Sequence, residues 1–232
     1  GQARRTARAH EKGMTRQPAH AGTFYPSDPG ELATLVGRLL EGAPPREGRA
    51  GSPAALIVPH AGYRYSGPAA ASAYRLLRET RRDVKRVLLL GPSHRFPFKG
   101  LALPQEDAFA SPLGELAVDV DLRRRACALP GVSQLPRAHE EEHSLEVQVP
   151  FLQVALPGVP FLPLAVGRCK HGELAEVMAA LAGDEGTLIL VSTDLSHFLP
   201  YDEAVKADAA SARHLLDLEP VIEGEAACGH VP

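Results

Sequence analysis

Three apolar runs in this chain each stop abruptly at a polar, histidine-bearing turn. They are Ala55-Leu56-Ile57-Val58-Pro59-His60, Val87-Leu88-Leu89-Leu90-Gly91-Pro92-Ser93-His94 and Leu188-Ile189-Leu190-Val191-Ser192-Thr193-Asp194-Leu195-Ser196-His197. A short continuous apolar run bounded by Gly, Pro and polar residues reads as a strand buried on both faces. In an open α/β sheet, ligands bind outside the carboxyl ends of the strands. If these three strands are parallel neighbours, His60, His94, Asp194 and His197 converge on one crevice. That pattern predicts a metal or acid/base site.

The rest of the chain supplies the elements such a sheet needs. Asp28 or Ser27 caps a helix that opens on Pro29, and Leu32, Leu35, Val36, Leu39 and Leu40 form its apolar stripe. Residues 41–52, rich in Gly, Pro and Arg, read as a surface loop. Ala54–Val58 and Arg86–Leu90 read as strands, with a helix over Pro68–Thr80 between them. Gly100–Leu103 and Gly114–Val118 suggest antiparallel edge strands. Helices are expected over Val118–Leu129, Ser144–Ala155, His171–Ala182 and Tyr201–Leu218, and strands over Phe161–Val166 and Thr187–Ser192. Strands alternating with helices predict an α/β fold: one domain with a central, mostly parallel or mixed sheet covered by helices on both faces.

At 232 residues the chain is long enough for one such domain over 14–232. Residues 1–13 carry Arg4, Arg5, Arg8 and Lys12 with almost nothing apolar, and are expected to be a disordered basic tail. The chain stops at Cys228-Gly229-His230-Val231-Pro232, which reads like the middle of a motif and predicts truncation at the C-terminus. A net charge of −3 gives no reason to expect nucleic acid as a partner. No apolar run approaches the ~20 residues of a membrane span. Three cysteines without paired spacing argue against a disulfide framework and for a reducing, cytoplasmic setting.

His60 and His94 repeat one design: a histidine just past a strand, with Ala61-Gly62 leaving room for an approach beside the first and Gly91-Pro92 shaping the turn before the second. Either could instead fill the core, but two strand ends of one design favour metal ligands, the commonest role of neutral imidazole. Cys228 beside Gly229 would supply a soft thiolate, suited to copper(I), zinc or iron rather than magnesium or calcium. Asp194 could orient a histidine, ligate metal or cap a short helix, and His197 could act as acid or base near neutrality. His143 and Glu146 share a helical face in the polar cluster 138–150, where Glu140–Glu142 read as a solvated turn and Ser144 as a cap.

Seven ordered segments carry a resemblance: PAHAGTFYP (18–26), VPHAGYRYSGPAAASAY (58–74), LGPSHR (90–95), PLGELAVD (112–119), EEHSLEVQVPFLQ (141–153), STDLSHF (192–198) and CGH (228–230). Together they resemble the Memo-like family, the B component of the AmmeMemoRadiSam system. The resemblance implies a fold like that of LigB-type extradiol dioxygenases and a metal site at His60, His94 and Cys228. It also implies a catalytic role for His197 beside Asp194, and a functional link to radical SAM and AMMECR-type proteins. The dioxygenases complete their site with a carboxylate where this chain offers a cysteine, so ring cleavage does not transfer with the fold.

The leading reading is an iron(II)- or copper-dependent oxidoreductase, with His60, His94 and Cys228 as ligands and Asp194, His143 and His197 facing an unknown small-molecule or peptide substrate. A non-catalytic metal or peptide binder using the same crevice is the second reading. A zinc hydrolase is the third.

Overall fold

The apolar runs that dominate the sequence become strands of one sheet, two in its interior and the first, residues 55–58, at its edge. A computed structural model describes residues 13–45, 53–80, 83–217 and 228. In chain order it contains β1 (Thr15–Arg16), α1 (Pro29–Gly42), β2 (Ala55–Val58), α2 (Tyr63–Thr80), β3 (Arg86–Pro92), β4 (Leu101–Leu103), β5 (Ala108–Ser111) and β6 (Gly114–Ala117). There follow α3 (Val120–Cys127), β7 (Val132–Gln134), α4 (Arg137–Glu140), α5 (His143–Glu146), α6 (Val149–Ala155), β8 (Phe161–Val166), α7 (His171–Ala182), β9 (Thr187–Ser192) and α8 (Tyr201–Leu216).

Six strands form the main sheet in the order β2-β9-β3-β8-β4-β7, and β1-β5-β6 form a smaller one. β2, β9, β3 and β8 are mutually parallel, while β4 runs antiparallel to β8. This is a single-domain α/β fold with a mixed sheet, as the sequence predicts. The pairing of β9 with both β2 and β3 makes the three histidine-bearing strand ends immediate neighbours, ~4.8 Å apart from strand to strand.

The sheet is sandwiched at this end. Leu89 and Leu190 pair across β3 and β9, and the next position on that face is Gly91. A Cβ on Gly91 would lie 2.7 Å from Ser144 Oγ and 3.0 Å from Leu145 Cδ2, so α5 rests directly on the strand there. Leu90, Pro92, Val191 and Val166 face the other way, toward Leu174 and Met178 of α7. Burial of side chains such as Leu88, Leu89, Leu162, Leu164 and Leu190 holds the layers together, each worth roughly 1.5–3 kcal/mol.

Several boundaries differ from the sequence reading. The first helix is capped by Asp28, whose carboxylate accepts from Glu31 N at 2.8 Å, and buries Leu32, Val36 and Leu40. It runs to Gly42, two residues into the expected loop; residues 46–52 of that loop lie outside the described residues. α2 starts at Tyr63, five residues before Pro68, because Tyr63 N is already bonded to Phe24 O and Ser66 Oγ to Ala61 O. Pro68 then forfeits one intrahelical bond inside the helix. The expected helix over Ser144–Ala155 is two short helices broken at Val147-Gln148. β4 is not an edge, because β7 pairs outside it. The predicted tail and the residues after Cys228 lie outside the described residues, apart from Gly13. Among the described residues no helix is long and apolar enough to cross a membrane.

Candidate metal centre

His60 follows β2 directly and is 1% exposed. Its backbone N–H donates to Asp194 Oδ1 at 2.7 Å, so the aspartate after β9 clamps the turn after β2. Its ring places Nδ1 3.0 Å from Ser192 Oγ and Nε2 3.2 Å from Cys228 Sγ. Cys228 is buried, and its sulfur also accepts from Asp194 N at 3.3 Å.

His94 follows β3 and is held by Glu142 at two points. The backbone N–H donates to Oε2 at 2.6 Å, and ring Nδ1 donates to Oε1 at 2.9 Å. A carboxylate oxygen can only accept here, so Nδ1 carries a proton in either charge state of the ring and Nε2 is the atom left for a metal. Glu142 also accepts from Ser144 N at 2.8 Å and so caps α5. Thus the solvated turn expected at Glu140–Glu142 hides a residue that is 1% exposed, and Ser144 is not the cap. Three donors explain how a carboxylate survives there.

His143 opens α5 and stacks on His94, with ring centroids 4.5 Å apart at 25°. His60 meets both rings edge-on, at 5.2 Å to His94 and 5.4 Å to His143. Among the described residues His143 Nδ1 has no hydrogen-bond partner; it is buried 3.6 Å from Glu142 Oε1. His197 lies 3.7 Å from Cys228 Sγ through Nε2. It does not sit one helical turn beyond Asp194. Residues 193–200 are an irregular loop, Asp194 caps no helix, and Phe198 takes a left-handed φ of 59°.

The donor atoms of His60, His94 and Cys228 all lie within 4.8 Å of one another. Two further sets meet the same limit, His94 with Glu142 and His143, and Asp194 with His197 and Cys228. They overlap at His94 and Cys228, so the six residues singled out in the sequence surround one spot.

The electrostatics fit a site that exchanges protons for a cation. Burial pushes the Cys228 thiol up, but hydrogen bonds from His60 and His94, the charge of His60 and Asp194 N–H bring it down to about 6. Burial pushes His94 down, but Cys228 and Glu142 outweigh it and raise it to about 9. Burial would raise Glu142, yet His94 and the backbone N–H groups of Ser144 and His94 hold it near 2. His143 is lowered to about 4 by burial; Glu142 opposes this, and the charges of His94, His60 and His20 add to it. These shifts favour a thiolate beside an imidazolium, a pair in which a bound cation would take the place of the Nε2 proton.

Three orienting residues escaped the sequence reading: Glu142, Ser192 and Gln148. The signal existed in part. Ser192 is the first polar residue of a buried strand, and Gln148 interrupts the apolar stripe of a predicted helix. A separate groove of about 620 Å³ lies beside α7, lined by Lys99, Arg168, Lys170, Glu173 and Glu176 among others, and none of the candidate residues lines it.

Residues 16–223 match the family model described as Memo-like protein. A MEMO1 family protein of Aquifex aeolicus is 39% identical over 83% of this chain and 71% of its own length. A MEMO1 family protein of Aeropyrum pernix is 36% identical over 94% of this chain and 84% of its own. A protein named memo-1 homolog in Caenorhabditis elegans is 33% identical over 81% of this chain and 56% of its own.

Proposed function

The chain belongs to the Memo-like family, and on that premise we propose that it is a metal protein serving an oxidoreductase reaction, with iron(II) or copper held by His60, His94 and Cys228. The supporting observation is the convergence within 4.8 Å of the Cys228 sulfur and of imidazole nitrogens from His60 and His94, which follow strands on either side of β9. The donor set fits the ion: two nitrogens and a soft sulfur suit iron, copper or zinc and disfavour magnesium and calcium. A redox-active metal bound there would supply electron transfer and Lewis-acid polarisation of a substrate oxygen.

The remaining residues have distinct tasks. Asp194 spends one carboxylate oxygen on His60 N and its own N–H on the Cys228 sulfur, which keeps the thiolate charged and in place. Glu142 holds His94. His197, an exposed residue, stands where it can give or take a proton at the open side. His143, kept neutral by its burial, forms the wall against His94.

The test is elemental analysis and electron paramagnetic resonance of protein purified anaerobically without added metal, followed by O₂ uptake with candidate substrates. Iron or copper near one per chain supports the reading. Zinc alone would favour a hydrolase, and metal without any turnover a binder. Replacement His197→Ala is expected to keep the metal and lower turnover by ~10²–10⁴-fold. Loss of the metal in that variant would make His197 a ligand instead.

A further inference from the structure

The hydrogen bonds behind His60 can be assigned one by one, because two of their members can only accept. Pro59 O is a carbonyl, and Gln148 Nε2 lies 3.0 Å from it. The amide of Gln148 therefore has one orientation, with its nitrogen toward Pro59 and its oxygen toward Tyr74. Tyr74 agrees: its hydroxyl donates to Gln148 Oε1 at 2.9 Å, and the tyrosine is fully buried. The second N–H of Gln148 then donates to Ser192 Oγ at 2.8 Å.

Ser192 has one proton. Ser144 O, the second pure acceptor, lies 2.6 Å from Ser192 Oγ and takes it. With its proton spent there and Gln148 donating to it, the Ser192 oxygen can only accept from His60 Nδ1 at 3.0 Å. Neutral His60 is left with its proton on Nδ1 and its lone pair on Nε2, so the proton in the 3.2 Å contact with Cys228 Sγ then comes from the thiol; when Cys228 is a thiolate, that proton sits on Nε2 of a doubly protonated ring. Every member of this chain except Pro59 is buried below 2% exposure. Water does not compete for these groups, so the assignment is strict.

We propose that Ser192 is the positioning residue of the centre, fixing His60 as its Nδ1–H tautomer, and that Gln148, locked by Tyr74 and Pro59, holds Ser192 in that role. This deepens the metal reading and rests on it for its purpose, but not for its structural claim. The two histidines of the centre are thereby set in the same tautomer by opposite means. Glu142 does it with charge on His94, and Ser192 does it on His60 with a neutral relay. Removing Gln148 takes away the donor that pins the Ser192 oxygen, leaving the hydroxyl held by Ser144 O alone and its oxygen no longer fixed on His60 Nδ1. Weakening that acceptor lets the proton pass to Nε2, where the metal should bind.

The test reads the tautomer without any metal. Long-range ¹⁵N–¹H correlation spectra of the full, metal-free chain in a Cys228→Ser background remove proton sharing with the thiol. His60 Nε2 is expected to show the bare, pyridine-like signal. Ser192→Ala should move His60 toward a mixture of tautomers, and Ser192→Thr, which keeps the hydroxyl, should restore it. Gln148→Met should shift it in the same direction as Ser192→Ala.

Cobalt(II) titration of the same changes in the Cys228-containing chain should show roughly 10–100-fold weaker binding for Ser192→Ala, recovered in Ser192→Thr. An unchanged His60 tautomer in both Ser192→Ala and Gln148→Met overturns the proposal. If Ser192→Ala does not fold, Gln148→Met alone decides in the same way. A shifted tautomer with no cobalt binding in any variant, wild type included, would leave the relay standing and sink the metal reading instead.

Discussion

Glu142 and Glu146 lie one helical turn apart, both essentially without solvent contact, and they resolve the cost of burial differently. Glu146 faces the N-terminal segment. It pairs with Arg16 at 2.6 Å and accepts from Ala19 N, His20 N and Tyr25 Oη. Arg16 continues the knot, donating to His139 O, Glu140 O and Glu142 O. Glu142 faces the sheet end and leans on His94. A guanidinium is always charged and all its donors point back into the protein. An imidazole can lose its proton and has a second nitrogen on its far side. The first pairing closes a piece of architecture. The second leaves a reactive atom presented to the crevice. Burial of a carboxylate therefore identifies a functional site only together with the nature of its partner.

This contrast can be broken most forcefully at Glu146. Replacement Glu146→Gln leaves the Arg16 charge buried and unpaired, and is expected to cost about 3–5 kcal/mol in denaturant unfolding. A variant as stable as the wild type would mean that the knot is ornamental and that the two carboxylates do not differ as argued.

The next test concerns acid. His139, below the knot, donates Nε2–H to Ala102 O at 3.0 Å, and burial lowers it from 6.5 to about 4. The unfolded chain thus binds a proton that the folded chain refuses between those values. Its contribution to stability is complete above pH 6.5 and falls away as pH drops to 4, by about 3 kcal/mol in total. His143 is held near 4 as well and acts in the same window. Replacement His139→Gln should therefore flatten the fall in thermal midpoint between pH 6.5 and 4 without abolishing it. An unaltered slope would place the acid sensitivity wholly at the centre.

The smallest effect on the fold is expected from Glu142→Gln. The chain should stay folded by circular dichroism, while cobalt(II) affinity falls by roughly 10–100-fold because His94 is no longer oriented by a charge. Outright unfolding of this variant would erase the distinction between the two carboxylates.

What the sequence revealed follows the same divide. Strands β2, β3 and β9 were legible because each is a continuous apolar run ending in Gly, Pro or polar residues, although of the three only β3 is buried on both faces, and β2 at the sheet edge leaves Ile57 45% exposed. His60, His94 and Asp194 follow them directly, so their convergence needed only parallel pairing. Strands β5 and β7 were not legible. Ala108–Ser111 and Val132–Gln134 are too short for a period, and they exist because β6 and β4 pair with them. Glu142 was hidden by its neighbours, since three consecutive glutamates look like a solvated turn whichever of them is inside. The split of the helix at Gln148 was hidden too. Helical periodicity continues across the break, and only the hydrogen bonds to Pro59, Ser192 and Tyr74 show why the chain must turn there.

Gly91 gives this arrangement a further property. The two histidines ride on the sheet, whereas Glu142 and Ser144, at the ends of their supporting hydrogen bonds, ride on the turn above it. The spacing between these bodies is set where Gly91 meets Ser144, with no room for a methyl group. A wedge there would lift Glu142 from His94 and Ser144 from Ser192 in one movement. Both supports share a single mechanical datum, so wear at that point would degrade the two ligands together and never one alone.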